Sequence, residues 1–157
     1  PYDKILNKVI VRLHKNTKKW FYPEDTKNYE LVELANTIAL PYSKALEINI
    51  LSENDKTLDL KVGLHQYGYN IGDTDVSISY ESDDGLKDEM IKPGDSFYLK
   101  PFVAHNFRGK GKMLVLRISG KITGEPQREL SLIGKKNMVR VINETMQWFN
   151  AKEEIKN

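Results

Sequence analysis

The stretch Gly94–Phe107, "GDSFYLKPFVAHNF", leads from a turn pair through alternating bulky residues to an imidazole at His105. If the strand runs regularly, Phe97, Leu99, Pro101, Val103 and His105 share one face, so His105 points where the apolar residues point. A neutral imidazole in such an interior is a ligand for Fe, Zn, Ni or Cu. The alternative for a lone buried histidine is a core position satisfied by one hydrogen bond. A second imidazole, His65, stands upstream in "VGLHQYGYNIGDTD". Gln66, Asn70 and Asp73 follow it closely and are candidate third donors to a metal shared by His65 and His105. Tyr67 is a candidate catalytic hydroxyl, and Lys61, Asn70 and Arg117 are candidate contacts for an anionic substrate.

Strand parity bears on these assignments. Leu58, Leu60, Val62 and Leu64 alternate with Asp59, Lys61, Gly63 and His65. With the leucine face in the core, His65 points to solvent, unless a bulge at Gly63 reverses the facing. In the opposite arrangement Lys61, His65 and Tyr67 line a polar cavity, and the leucines face outward to meet a partner or a C-terminal helix. Arg117 alternates with Leu114, Leu116 and Ile118, which leaves it either a clamp in a polar cavity or a solvent-facing cation. His14 precedes the charged run "KNTKK" and reads as a surface residue.

The elements that would position these side chains are short. From Ala45, "ALEINIL", "LDLKVGLHQYGY", "DVSISY", "DEMI", "SFYLKP", "AHNF" and "KMLVLRISGKI" are period-two runs separated by turn clusters such as Pro93-Gly94-Asp95 and Gly109-Lys110-Gly111. Closely spaced short strands of this kind make a sandwich or small barrel. Upstream, "ELVELANTIA" (Glu30–Ala39) is consistent with a short helix. In the tail, Asn137 is a candidate N-cap, and Met138, Ile142, Met146 and Phe149 recur at helical spacing as one apolar stripe. The expectation is one domain: residues 1–44 as a wrapping segment, 45–134 as the barrel, and 135–157 as a C-terminal helix and tail.

Composition removes several classes. The 157 residues suffice for one buried core, and 39% hydrophobic with 29% charged residues describe a globular chain. Twenty-four Lys and Arg against 22 Asp and Glu leave a net charge of +2, too slight and too dispersed to predict nucleic-acid binding. No apolar run reaches membrane-spanning length, so no membrane partner is expected. Without cysteine, disulfides, thiolate metal sites and Cys nucleophiles are excluded, and a cytoplasmic location is expected.

"KPGDSFYLKPFVAHNF" resembles the second conserved motif of the cupins, with Gly94 and His105 at the motif's interval and Lys100 and Phe102 in place of its common Pro and Gly. The first cupin motif is matched at His65; Tyr67 stands where its second histidine would be, and Asn70, Ile71 or Gly72 stands near its glutamate. Together with "LPYSKALEINIL", the run through "KMLVLRISGKI" and "RVINETMQWF", residues 30–150 are similar to the phosphonate-processing cupin oxygenases, the hydroxyethylphosphonate dioxygenase and methylphosphonate synthase group. The resemblance implies a mainly β double-stranded β-helix (a cupin or jelly-roll barrel) with N-terminal wrapping segments and a C-terminal helix. It implies a mononuclear non-haem Fe(II) centre, with Zn or Ni as other metals for the same donors. The implied chemistry is O2-dependent oxidation of a small anionic, phosphonate-like substrate. Only His65 and His105 carry over as candidate ligands, and the third donor would come from Gln66, Asn70 or Asp73. The His-x-x-x-Glu of the family has no counterpart here, since Tyr69 follows His65 by four. Larger members carry two cupin units, one without metal, so the second expectation is a metal-free scaffold or small-anion module. A homodimer, or packing on a second cupin domain, is expected in either case.

Overall fold

The computed structural model describes residues 3–6, 8–53 and 55–120. Among them every regular element is a β-strand except one 3-10 turn at His14–Asn16. β1 (Asp3–Leu6) and β2 (Val9–Arg12) form a separate hairpin. β3 (Lys19–Tyr22), β4 (Tyr29–Glu33), β5 (Lys44–Ile50), β6 (His65–Asn70), β9 (Ser96–Leu99) and β11 (Lys112–Ile118) build one antiparallel sheet in the order β3-β4-β5-β11-β6-β9. β7 (Val76–Ser82), β8 (Gly85–Ile91) and β10 (His105–Arg108) build the other, in the order β10-β7-β8.

The core lies between the inner faces of these two sheets. On the large sheet, side chains of alternate residues stack across strands in rows, because paired residues in an antiparallel ladder present the same face. One inward row runs Leu46, Val115, Gly68, Phe97, and its neighbour runs Lys44, Arg117, Gln66, Leu99. Leu46, Val115 and Gln66 are essentially solvent-free. Facing them, Val76 and Ile78 of β7 and Phe107 of β10 close the interior.

Four expectations about elements are corrected. Glu30–Ala39 is not a helix: Tyr29 to Glu33 is strand β4, with Tyr29 opposite Ile50 and Leu31 opposite Ile48. A short isolated helix has little stability of its own, and burial of Tyr29, Leu31 and Val32 between strands outweighs it. The run from Phe97 to His105 is not one strand. It breaks after Leu99 into a turn in which Phe102 adopts φ 65°, and His105 begins β10 in the opposite sheet. Residues 58–64 form no regular strand, touching the ladder only through a bridge from Leu60 to His105. Their leucine face is core: Leu60, Val62 and Leu64 are fully buried, so it is unavailable to a partner or a helix. Lastly, Arg117 does not face solvent. Leu114 and Leu116 are exposed and Met113, Val115 and Arg117 point inward. The predicted C-terminal helix lies outside the described residues.

Candidate functional site

β10 places His105 at the heart of the molecule. Its backbone is pinned on both sides, by pairing with Tyr80 of β7 and by reciprocal bonds with Leu60, N–H to O at 3.0 and 2.9 Å. Its Nδ1 lies 2.8 Å from the carbonyl oxygen of Val103. A carbonyl can only accept, so Nδ1 carries the proton and Nε2 presents a bare lone pair. That Nε2 is buried and has no hydrogen-bond partner. Burial, with a smaller push from the positive charge of Arg117, lowers the His105 pKa to about 4 against the opposing effect of its bond to Val103. The imidazole is therefore neutral at physiological pH, the state a metal ligand needs.

A second group shares this interior. Arg117 is wholly buried on β11, and its Nε donates to Oε1 of Gln66, its cross-strand partner on β6, at 2.8 Å. Burial draws its pKa well down from the usual guanidinium value, though arginine remains protonated across the physiological range. The interior therefore holds a fixed cation within electrostatic reach of His105.

Aromatic rings fill the space between the sheets. Phe97 lies across Gly68, where any Cβ would sit 2.2 Å from the ring. Phe97 packs on Phe107 with ring centroids 5.6 Å apart, and Phe107 meets the His105 ring edge-on at 5.4 Å.

The remaining sequence-derived candidates separate. His65 is on the outer face of the large sheet, in parity with exposed Tyr67 and Tyr69, while Gln66, Gly68 and Asn70 point inward. Its ring stacks on Tyr98 at 5.7 Å, its Nδ1 is 2.5 Å from the Tyr98 hydroxyl, and the Tyr67 ring is tilted against Tyr98 at 5.2 Å. His65 and His105 thus lie on opposite sides of the sheet, with no bulge at Gly63 to turn His65 inward. Asn70 uses its whole amide on backbone: Nδ2 donates to the carbonyls of Thr74 and Ile91, both at 2.9 Å, and Oδ1 accepts from Gly72. Its own backbone bonds Asp95 and Gly94, which ties the Pro93-Gly94-Asp95 turn to β6. Lys61 is half-exposed on the irregular segment. Asp73 is exposed and lines a cleft of about 750 Å3 with Lys110 and Lys112, and His105 is not part of that lining.

One network was not foreseen from the sequence. The Tyr29 hydroxyl donates to Asp59 Oδ1 at 2.9 Å and accepts the Phe107 N–H at 3.1 Å. Asn28 Nδ2 donates to both Asp59 and Asp55, and Asn106 Nδ2 donates to the carbonyls of Asp55 and Thr57. This network clamps the 55–60 segment against β10 and so fixes His105. Burial raises the Asp59 carboxyl above its usual pKa, and burial followed by the Asp59 charge raises the Tyr29 hydroxyl. The available signal was Asp59 itself, an acid embedded in "LDLKV".

Comparison with known proteins places this geometry. Over 152 residues, 97% of the chain, it is 55% identical to the methylphosphonate synthase of Nitrosopumilus maritimus. The chain is related to the phosphonate-processing non-haem iron enzymes. It spans 33% of that relative's length. No protein-family model matches. Among solved structures, HEPD of Streptomyces albus, with 2-hydroxyethylphosphonate and Fe(II) bound, superposes with a TM-score of 0.70 at 24% identity, covering 90% of this chain and 33% of that one. The hydroxypropylphosphonic acid epoxidase of S. wedmorenis superposes at 0.63 and 15% identity, covering 74% and 62%. Both likenesses establish a cupin-like fold for this relative of the phosphonate enzymes.

The described residues do not fit an iron of the two-histidine, one-oxygen kind. Such a site needs three donors converging on one point. Among the described residues no three His, Cys, Asp or Glu side chains converge. Gln66 Oε1, the oxygen that would complete the set, already accepts from a guanidinium, and that guanidinium repels a divalent cation.

Proposed function

We propose that this barrel is a metal-free cupin unit working within a phosphonate-processing Fe(II) oxygenase system, with the iron of that chemistry held by a separate unit. The observation that carries this reading is the buried Arg117–Gln66 pair, which engages a candidate oxygen donor with a protein cation. The outward turn of His65, engaged with Tyr98, supports it. The match to one third of a longer relative is consistent with a unit that contributes structure to a larger assembly. The substrate class proposed for that assembly is a small phosphonate.

One observation favours the alternative, a metal centre in this chain: the buried, unmatched lone pair of His105 Nε2. A single experiment separates the two. The purified chain is loaded anaerobically with Fe(II), passed through a desalting column and analysed for metal, alongside His105→Ala. The metal-free reading expects well under one tenth of an equivalent retained in both proteins. One iron per chain, lost on His105→Ala, would overturn it and restore the oxygenase centre.

A further inference from the structure

The outer face of the large sheet carries a continuous apolar band. Tyr98 on β9 stands opposite Tyr67 on β6, which stands opposite Leu116 on β11; in the next row Tyr69 stands opposite Leu114. All five are between 38% and 51% exposed. Leu116 also lines an apolar groove of about 470 Å3 with Ile10, Ala35, Leu40 and Ala45, so the band continues off the sheet centre towards β2 and the 35–43 segment. Scattered apolar residues on a surface are ordinary, but a contiguous patch of this kind marks a contact.

The direction of the chain says which contact. β11 runs through the middle of the band, and two residues after it ends the backbone reaches Gly120. A Cβ there would lie 2.9 Å from Nε2 of His65, a side chain of the outer face stacked on Tyr98. The polypeptide therefore leaves the sheet on the same side as the band and beside it. The sequence that follows carries Met138, Ile142, Met146 and Phe149 at i, i+4, i+8 and i+11, the one apolar stripe of residues 121–157. The intervening residues 121–137 span up to about 60 Å when extended, against roughly 10 Å between the outer strands of a three-stranded band. Reach imposes no restriction, and the exit side favours this face over the small sheet.

We propose that the Met138–Phe149 stripe docks on the band formed by Tyr67, Tyr69, Leu114 and Leu116 and on the groove beside it. The assignment is independent of whether the barrel holds a metal.

The chain has no cysteine, so engineered pairs report contacts without background. Leu116→Cys is combined with Ile142→Cys, and separately with Met146→Cys, in the full chain. The control combines each with Leu86→Cys, 68% exposed on β8 of the other sheet. Under mild oxidation the expected result is an intramolecular disulfide at least tenfold faster with Leu116→Cys than with Leu86→Cys, since bridging needs Cβ atoms within about 4 Å. Adding Phe149→Asp should slow the Leu116–Ile142 pair toward the control rate. Equal rates at the two sheets, or disulfides formed only between chains, would overturn the proposal; the latter result would assign the face to a second copy.

Discussion

His105 is a buried base held neutral by its surroundings, and that has a measurable consequence. In the folded chain it titrates near 4, against 6.5 for the free side chain. Between those values the unfolded chain takes up a proton that the folded chain refuses, so stability is complete above about 6.5 and is lost as pH falls towards 4. The span corresponds to about 3 kcal/mol. Asp59 works in the opposite sense, because its raised pKa lets the folded chain hold a proton longer, and it offsets part of the loss. Urea midpoints measured from pH 7 to pH 4 should fall for the native chain and fall less steeply for His105→Gln. Parallel curves for the two would show that His105 is not the titrating group.

At the scale of elements, two cross-strand contacts set the interior. Gly68 on β6 is required by the Phe97 ring of β9, so Gly68→Ala should cost about 2 kcal/mol by overpacking. The double variant Gly68→Ala/Phe97→Leu should recover much of that, and failure of recovery would place the strain in the β6 backbone. The Gln66–Arg117 pair joins β6 to β11 through a hydrogen bond to a buried charge. Gln66→Leu removes the acceptor and leaves the guanidinium buried, at a cost of about 2 kcal/mol in chemical denaturation. A neutral effect would mean that the other contacts of Arg117 carry its charge. Both variants act through the inner face, so the outer aromatic band should be unchanged by either.

For the whole molecule, the metal-free reading predicts that a chelator has nothing to remove. Thermal unfolding with and without EDTA should coincide within about a degree, whereas a structural metal shifts stability by the free energy of its binding. A drop of several degrees would assign a cation to the fold. The same reading makes the sheet-to-sheet core, with Leu46, Ile48, Met113, Val115 and Phe107 at or near zero exposure, the source of stability. Two sheets packed face to face bury enough apolar area to hold together without a metal.

The β character and most strand positions from Ala45 onward were legible in the residues, because period-two alternation and turn clusters are local signals. The interior place of His105 was expected from a regular strand that in fact breaks after Leu99, and it is β10 of the other sheet that supplies it. The kinship with phosphonate-processing enzymes was legible too, carried by the stretch around His105 and "HQYGYNIGD". What local pattern could not settle was facing. Arg117 and Leu116 alternate in sequence, and nothing in "KMLVLRI" says which of the two sets meets the core. The answer came from the partners across the ladder, where Gln66 accepts the Arg117 charge while Tyr67 and Leu116 stand together outside. His65 was ambiguous for the same reason: its side depends on a segment, 58–64, that is held by Leu60 bonding to His105 and by the Asp59 network, not by its own alternation. Tyr29 and Asp59 are 30 positions apart. A polar contact between residues so distant leaves no periodic trace, and it exists only once the two sheets have closed on each other.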